Sequence, residues 1–301
     1  MFESLSNFIS AGEAFALGSS LIWAIAIIFF RISGRSVHPL GLNFFKSLLS
    51  ILLLTVTILA LGDPLFPKVP FKAYGLMLLS GALGIGTADT LLFASLNRLG
   101  AGLSAIVNCS YSPSVIILSV LFLGERMKGL QLFGVFLIIL AVLLISQKKM
   151  KIEIPQKDLA SGILLGIASM LLSAVGIIVM KPILNTSSIL WTVLIRTTGA
   201  ILLLSLTLTF QAKKHSIFTS LASLKNWRAM LPGSILGGYL SFITWTGGMK
   251  YIQASKASAL NQTNTIFVFV LGALFLKERV TKEKIATLII ALAGVFLVTL
   301  G

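Results

Sequence analysis

The chain has 301 residues, of which 56% are hydrophobic and 11% charged, with a mean hydropathy of +1.00. Soluble domains carry about a quarter charged residues, so this composition excludes an ordinary soluble fold. The net charge of +15 does not mark a nucleic-acid binder, because the cations gather at the ends of apolar runs, where they meet lipid headgroups.

The apolar runs predict ten membrane-spanning helices: Ala14–Ile32, Gly41–Leu61, Ala73–Ser95, Gly102–Leu123, Gly129–Ser146, Ser161–Met180, Ile189–Phe210, Leu231–Met249, Ala257–Leu276 and Ile285–Leu300. About 20 residues cross the hydrocarbon core, and runs without period-two alternation exclude a barrel. The first ten residues, MFESLSNFIS, carry no basic segment and no cleavage site, so the first run reads as a retained span. Connections are short, the longest being Gln211–Met230, and no soluble domain fits between the spans. Most cations, among them Lys148, Lys149, Lys213, Lys214, Arg228, Lys282 and Lys284, fall on one face. The positive-inside rule makes that face cytoplasmic and places both termini outside.

An internal repeat organises these spans into two units, 1–150 and 151–301. AIVNCSYSPSVIILSVLFLGER (Ala105–Arg126) aligns without a gap on SALNQTNTIFVFVLGALFLKER (Ser258–Arg279), at an offset of 153. Asn108 then meets Asn261, and Glu125–Arg126 meets Glu278–Arg279. Earlier in each half the offset is 150, so that Arg31 meets Lys181 and Lys46 meets Arg196. Each unit holds five spans, an odd number, so the second copy must cross in the opposite sense. Inverted repeats are a transporter architecture, with the solute site near the midplane between the halves.

The stretch YSPSVIILSVLFLGERMKGLQLFGVFLIILAVLLI (Tyr111–Ile145) resembles the signature of the EamA-like branch of the drug/metabolite transporter superfamily. NTIFVFVLGALFLKERVTKEKIATLIIALAGVFLV (Asn264–Val298) is similar to its second copy. The resemblance implies a ten-helix carrier of small metabolites in the cell (inner) membrane, commonly an exporter of amino acids or related compounds. Two residues depart from the pattern: Ile266 stands where proline is frequent, and Lys277 replaces the glycine of the turn. The family is also often drawn with its termini inside, against the charge distribution.

Polar residues inside the spans are the candidate site. Asn261 and Asn264 share a helix face, mirrored by Asn108 and Tyr111 in the first half. They serve either as interhelical hydrogen-bonding groups or as the polar lining of a solute path. Pro113 predicts a kink that frees the Cys109 carbonyl. Lys46 and Asp89 lie at matching depth on antiparallel spans and are expected to form a structural ion pair. The position that mirrors Asp89 is Phe242, which leaves Arg196 without that partner. Arg196 either snorkels to an interface or attracts an anionic group such as a carboxylate. Trp23, Tyr239 and Trp245 lie within spans rather than at their ends, as core packing or cavity lining.

The residues therefore point to a secondary transporter whose partners are a small-molecule substrate and membrane lipids. A lipid carrier or a non-transporting membrane protein is the alternative. The glycine clusters Gly81–Gly86, Gly162–Gly166 and Gly233–Gly238 read as internal packing surfaces and leave monomer or homodimer open. An intramembrane enzyme is disfavoured, since His38 and His215 lie in loops and Asp89 has no second intramembrane aspartate. With Cys109 the only cysteine, no cofactor or metal is expected. Of the acidic groups, Asp89 and Glu13 are the only candidates for proton coupling.

Overall fold

The computed structural model describes residues 10–124, 129–146, 154–212 and 214–300, and among them every regular element is helical. Helix α1 (Ala11–Ser33) starts at a capping box in which Ser10 and Glu13 satisfy each other's backbone N–H groups. Helix α2 (Pro39–Ala60) follows His38, with proline at its first position, where the missing N–H costs nothing. Helix α3 (Phe71–Gly81) passes through a π-helical segment, Ala82–Thr87, into α4 (Ala88–Asn108). Then come α5 (Tyr111–Leu123), α6 (Gly129–Ser146), α7 (Gln156–Leu184) and α8 (Ile189–Thr209). A short helix, α9 (Lys214–Ala222), precedes α10 (Leu224–Ser234), a second π-helical segment at Ile235–Leu240, and α11 (Ser241–Tyr251). Helices α12 (Ala254–Asn261), α13 (Asn264–Leu276) and α14 (Lys282–Leu300) complete the chain.

Six helical runs among the described residues are long and apolar enough to cross a membrane, and Tyr111–Leu123 and Gly129–Leu144 are apolar but shorter. The expected span ends shift most around Gly100. The run Phe71–Asn108 has 38 residues. At 1.5 Å per residue that is roughly 57 Å, nearly twice the hydrocarbon thickness. It is broken at Gly100, whose φ of 79° and ψ of 176° only glycine adopts readily. The expected third and fourth spans are thus separated by a one-residue kink. The fourth is divided again at Cys109–Ser110, between α4 and α5.

Helix α2 shows why a bilayer suits this bundle. Leu48, Leu52, Val56 and Leu59 are exposed on one face, while Asn43, Lys46, Ser47 and Ser50 are fully buried on the other. Apolar residues face outward and polar ones inward, the reverse of a soluble helix. Close packing comes from the expected glycine clusters. A Cβ at Gly81 would lie 1.7 Å from the carbonyl oxygen of Arg196, and one at Gly199 would lie 2.0 Å from that of Leu78. Helices α3 and α8 therefore touch backbone to backbone.

The irregularities recur at the repeat offset. Ala82–Thr87 and Ile235–Leu240 are both π-helical, the turns at Cys109–Ser110 and Gln262–Thr263 both interrupt helices, and Gly124 and Lys277 both end a helix in the left-handed conformation. The expected Glu125–Arg126 turn, Lys148, Lys149, Lys151 and Lys213 lie outside the described residues.

Candidate functional site

A cavity of about 120 Å³ is bordered by the first π-helical segment and by the start of α11, just past the second. Its wall includes Trp23 of α1, Gly84 and Ile85 of the first π-segment, Asp89 and Asn108 of α4, and Tyr111 of α5. Across from them stand Ser173 of α7, Arg196 of α8, Phe242 and Trp245 of α11, and Asn261, Gln262 and Asn264 of the last third of the chain. Seven of the eight expected lining residues are therefore brought together. The volume accommodates several waters or a small polar solute.

Tyr239 is the exception. Its hydroxyl is 2.6 Å from Thr57 Oγ1, and it packs against the cluster of Leu54, Ile58, Val193 and Leu194, of which Val193 alone lines the cavity, so Tyr239 lies behind the wall. It sits inside the second π-segment, where the wider turn shifts the face that each following residue presents.

The polar stretch around Asn261 bonds neighbouring helices and lines the cavity at once. Asn261 Nδ2 donates to Ser19 Oγ at 2.7 Å, and Asn264 Nδ2 donates to Asn261 Oδ1 at 3.1 Å. Thr263 Oγ1 donates to Ser20 Oγ at 2.8 Å. Gln262 Nε2 reaches across to the carbonyl oxygens of Asn108 at 3.0 Å and Cys109 at 3.2 Å. The second acceptor exists because Pro113, four residues on, has no N–H to bond it. Pro113 itself stands in the first turn of α5, downstream of the break. In the second copy the break at Gln262–Thr263 forms with Ile266 in the proline's place, so proline is not what interrupts these helices. The oxygen of the Asn108 amide is buried and accepts no hydrogen bond among the described residues.

Two cations, Lys46 and Arg196, are buried. Lys46 Nζ forms an ion pair with Asp89 Oδ2 and lies 5.0 Å from the Phe242 ring centroid and 5.4 Å from that of Phe93. One turn before Lys46, Asn43 holds the first π-segment, its Nδ2 donating to the carbonyls of Ile85 and Gly86 at 2.9 Å each. Arg196 does not snorkel. It is 6% exposed, with Nε donating to Ser80 Oγ at 2.9 Å and Nη1 at 3.1 Å from Met180 Sδ. Nη2 has no hydrogen-bond acceptor among the described residues and lies 3.2 Å from where a Cβ on Gly84 would be. Around it are aromatic walls: Trp23 stacks on Phe242 at 6.4 Å, and Tyr111 meets Trp245 at 6.0 Å. No group of metal-ligating side chains occurs among the described residues.

Sequence reasoning missed Ser173, Ser241 and Thr246 in the wall. Ser173 was accessible to it, since the offset of 150 carries Trp23 onto Ser173. Ser241 and Thr246 correspond to Ala88 and Phe93, which give no polar signal.

A family model described as the EamA-like transporter family matches residues 10–147 and again 160–300. The chain belongs to that family. It is a membrane transporter of the drug/metabolite superfamily rather than an enzyme by kinship. A curated relative from Archaeoglobus fulgidus, described as an uncharacterized transporter, is 24% identical over 287 residues, covering 95% of this chain and 96% of its own. One solved crystal structure superposes with a TM-score of 0.68 over 97% of both chains at 15% identity, which shows a shared fold.

Proposed function

We propose that this EamA-like transporter is a secondary carrier that moves small polar metabolites, amino acids or related compounds, out across the cell (inner) membrane by alternating access. Two inverted five-helix repeats, 1–150 and 151–301, would form ten spans and move against one another about the cavity. The reading is supported by the family model matching twice and by the irregularities that recur at the repeat offset. The working unit is a monomer or homodimer in lipid.

One observation carries the substrate reading: Arg196 is buried at the cavity wall with neutral partners only, Ser80 and Met180, while Asp89 is taken by Lys46. Asp89 on the same wall acts on Arg196 from a distance, but the guanidinium has no ion pair of its own among the described residues, and its fork suits a carboxylate. The unpaired Asn108 oxygen offers an acceptor to a donor on the same solute, and the rings of Trp23, Phe242 and Trp245 provide an apolar surface for its body.

The experiment is uptake into proteoliposomes of a panel of matched carboxylate and neutral-amide solutes, with the protein and its Arg196→Gln variant. Loss of the carboxylates alone is the expected result. Equal loss of both members of each pair removes the carboxylate argument. Transfer of labelled phospholipid between leaflets in the same vesicles, without solute uptake, favours the lipid carrier.

A further inference from the structure

The connection between α8 and α11 has features that the cavity does not use. Residues 211–230, QAKKHSIFTSLASLKNWRAM, hold lysines and an arginine but no acidic side chain. They form α9 and α10, a helical corner docked where α1 passes into α2. Ile217 and Leu221 of α9 are buried, and a Cβ at Gly41, in the first turn of α2, would lie 2.6 Å from Ile217 Cγ2. Asn226 Oδ1 accepts from Ser36 Oγ at 2.8 Å, and Asn226 Nδ2 donates to the Ser220 carbonyl at 2.7 Å. Trp227 Nε1 donates to the Leu221 carbonyl at 2.7 Å. Phe44 and Phe45 of α2 meet Phe218 and Trp227 edge to face, with ring centroids 6.3 and 5.4 Å apart. The corner is thus fixed on its inner side, and its indole and amide are satisfied within the bundle.

Its outer side mixes large apolar groups with cations. Leu224 is 77% exposed, Phe218 48% and Trp227 39%. Lys214 stands four residues before Phe218, and Arg228 four after Leu224, so on each helix a cation and an apolar group share one face. Lys214, Lys225 and Arg228 are exposed and make no ion pair among the described residues. Helices of this kind lie in the plane of a bilayer surface, with apolar groups at the acyl boundary and cations among the headgroups. Tryptophan favours the same level. A second copy of the chain is a poorer occupant. A twofold contact would press these cations against their own copies, with no acid in the segment to answer them.

We infer that the α9–α10 corner is a binding site for anionic phospholipid headgroups. Lys214, Lys225 and Arg228 meet the phosphate, and Phe218, Leu224 and Trp227 seat the glycerol and upper acyl chains. The guanidinium of Arg228 adds a fork that matches two phosphate oxygens. Phosphatidylglycerol presents its phosphate charge uncancelled, whereas the choline of phosphatidylcholine neutralises it, so the cations tell the two lipids apart. The site is independent of what solute the cavity carries.

The test reads Trp227 by fluorescence quenching in vesicles. The full-length native chain and its Trp227→Phe variant are reconstituted in phosphatidylcholine with rising fractions of phosphatidylglycerol. Bromine is placed on the acyl chains of one lipid or the other, and the difference between the two proteins is the Trp227 signal. Brominated phosphatidylglycerol is expected to quench that signal at the lower fraction, a preference of about fivefold for each cation that takes part. Lys225→Gln/Arg228→Gln changes exposed groups only and should bring the preference close to one, while Arg228→Lys keeps most of it. Added salt should weaken the preference in the native chain. Equal quenching by both lipids, or a preference that survives the double variant unchanged, overturns the site and leaves an ordinary bilayer contact. A Trp227 signal that neither lipid quenches overturns it in favour of a second copy over this face, which the molar mass in detergent then registers as a dimer.

Discussion

Lys46 and Arg196 correspond under the sequence offset of 150, yet they are held differently. Each is a buried cation on a helix, α2 or α8, and each approaches a glycine of a π-helical segment. A Cβ at Gly238 would touch Lys46 Cγ at 2.8 Å, as one at Gly84 would approach Arg196 Nη2 at 3.2 Å. Lys46 has Asp89 as its counter-charge, whereas the residue equivalent to Asp89 beside Arg196 is Phe242, and Arg196 bonds only neutral groups. The lesson is that the difference between Asp89 and Phe242 separates a cation held in an ion pair from one at the cavity wall whose hydrogen-bond partners are all neutral. The Phe242 ring is not idle: it lies over Lys46 and stacks on Trp23, so the lost carboxylate became part of the wall.

The comparison breaks most visibly at the paired cation. Asp89→Asn leaves Lys46 buried, fully inaccessible and without a counter-charge. A loss of about 3–5 kcal/mol is expected, seen as a large drop in melting temperature in detergent and in folded yield. The double variant Lys46→Met/Asp89→Leu should recover most of that stability, since apolar replacement of both partners is often close to neutral. If the double variant folds well but transports nothing, the pair has a role in transport and the contrast with Arg196 narrows.

Arg196→Gln is the converse. Its partners, Ser80 Oγ and Met180 Sδ, are neutral, so stability should change little while affinity for a carboxylate solute falls. A hydrogen bond to a charged group contributes about 1.5–3 kcal/mol, which corresponds to roughly a tenfold to hundredfold rise in Kd. Binding measured by calorimetry or by tryptophan fluorescence, with Trp23 and Trp245 in the wall as reporters, checks it. A melting temperature that falls as far as it does for Asp89→Asn would show that both cations are structural.

Gly84→Ala tests the placement rather than the charge. The new methyl would sit 3.2 Å from both Nη2 of Arg196 and the Cα of Gly176. The guanidinium must yield by a few tenths of an ångström, and carboxylate affinity should fall several-fold, at a cost of about 1 kcal/mol. Neutral solutes measured in parallel should fall less.

Some of this was legible from the residues and some was not, for physical reasons. The Lys46–Asp89 meeting follows from counting residues from the ends of two antiparallel helices, because a buried charge without a partner is too costly to leave. Asn108, Tyr111, Asn261 and Asn264, which correspond under the sequence offset of 153, do line one cavity. Backbone departures were harder to read. Gly100 breaks the helix in one residue, and the glycines of LGAG (Leu99–Gly102) look the same whether they kink a helix or pack it. The π-segments overlap the glycine clusters Gly81–Gly86 and Gly233–Gly238, whose composition does not tell a widened turn from close packing, and each rotates everything beyond it relative to an ideal helix. Trp245 lines the cavity and Tyr239 does not, in keeping with a separation of six residues, which sets them about 120° apart round a helix.

Tyr239→Phe gives the smallest effect and checks that displacement directly. The hydroxyl shares a hydrogen bond with Thr57 Oγ1 at 2.6 Å, and Thr57 also bonds the Leu53 carbonyl at 2.8 Å. Removing it leaves Thr57 still satisfied, so no buried group is orphaned and the loss should stay within about 0.5–1.5 kcal/mol. Thr57→Val should cost a similar amount, and the double variant less than the sum of the two, because both singles break one shared bond. Solute affinity should be untouched throughout, since neither residue reaches the cavity wall. A change in solute selectivity on Tyr239→Phe would return Tyr239 to the wall and show that the second π-segment rearranges during transport.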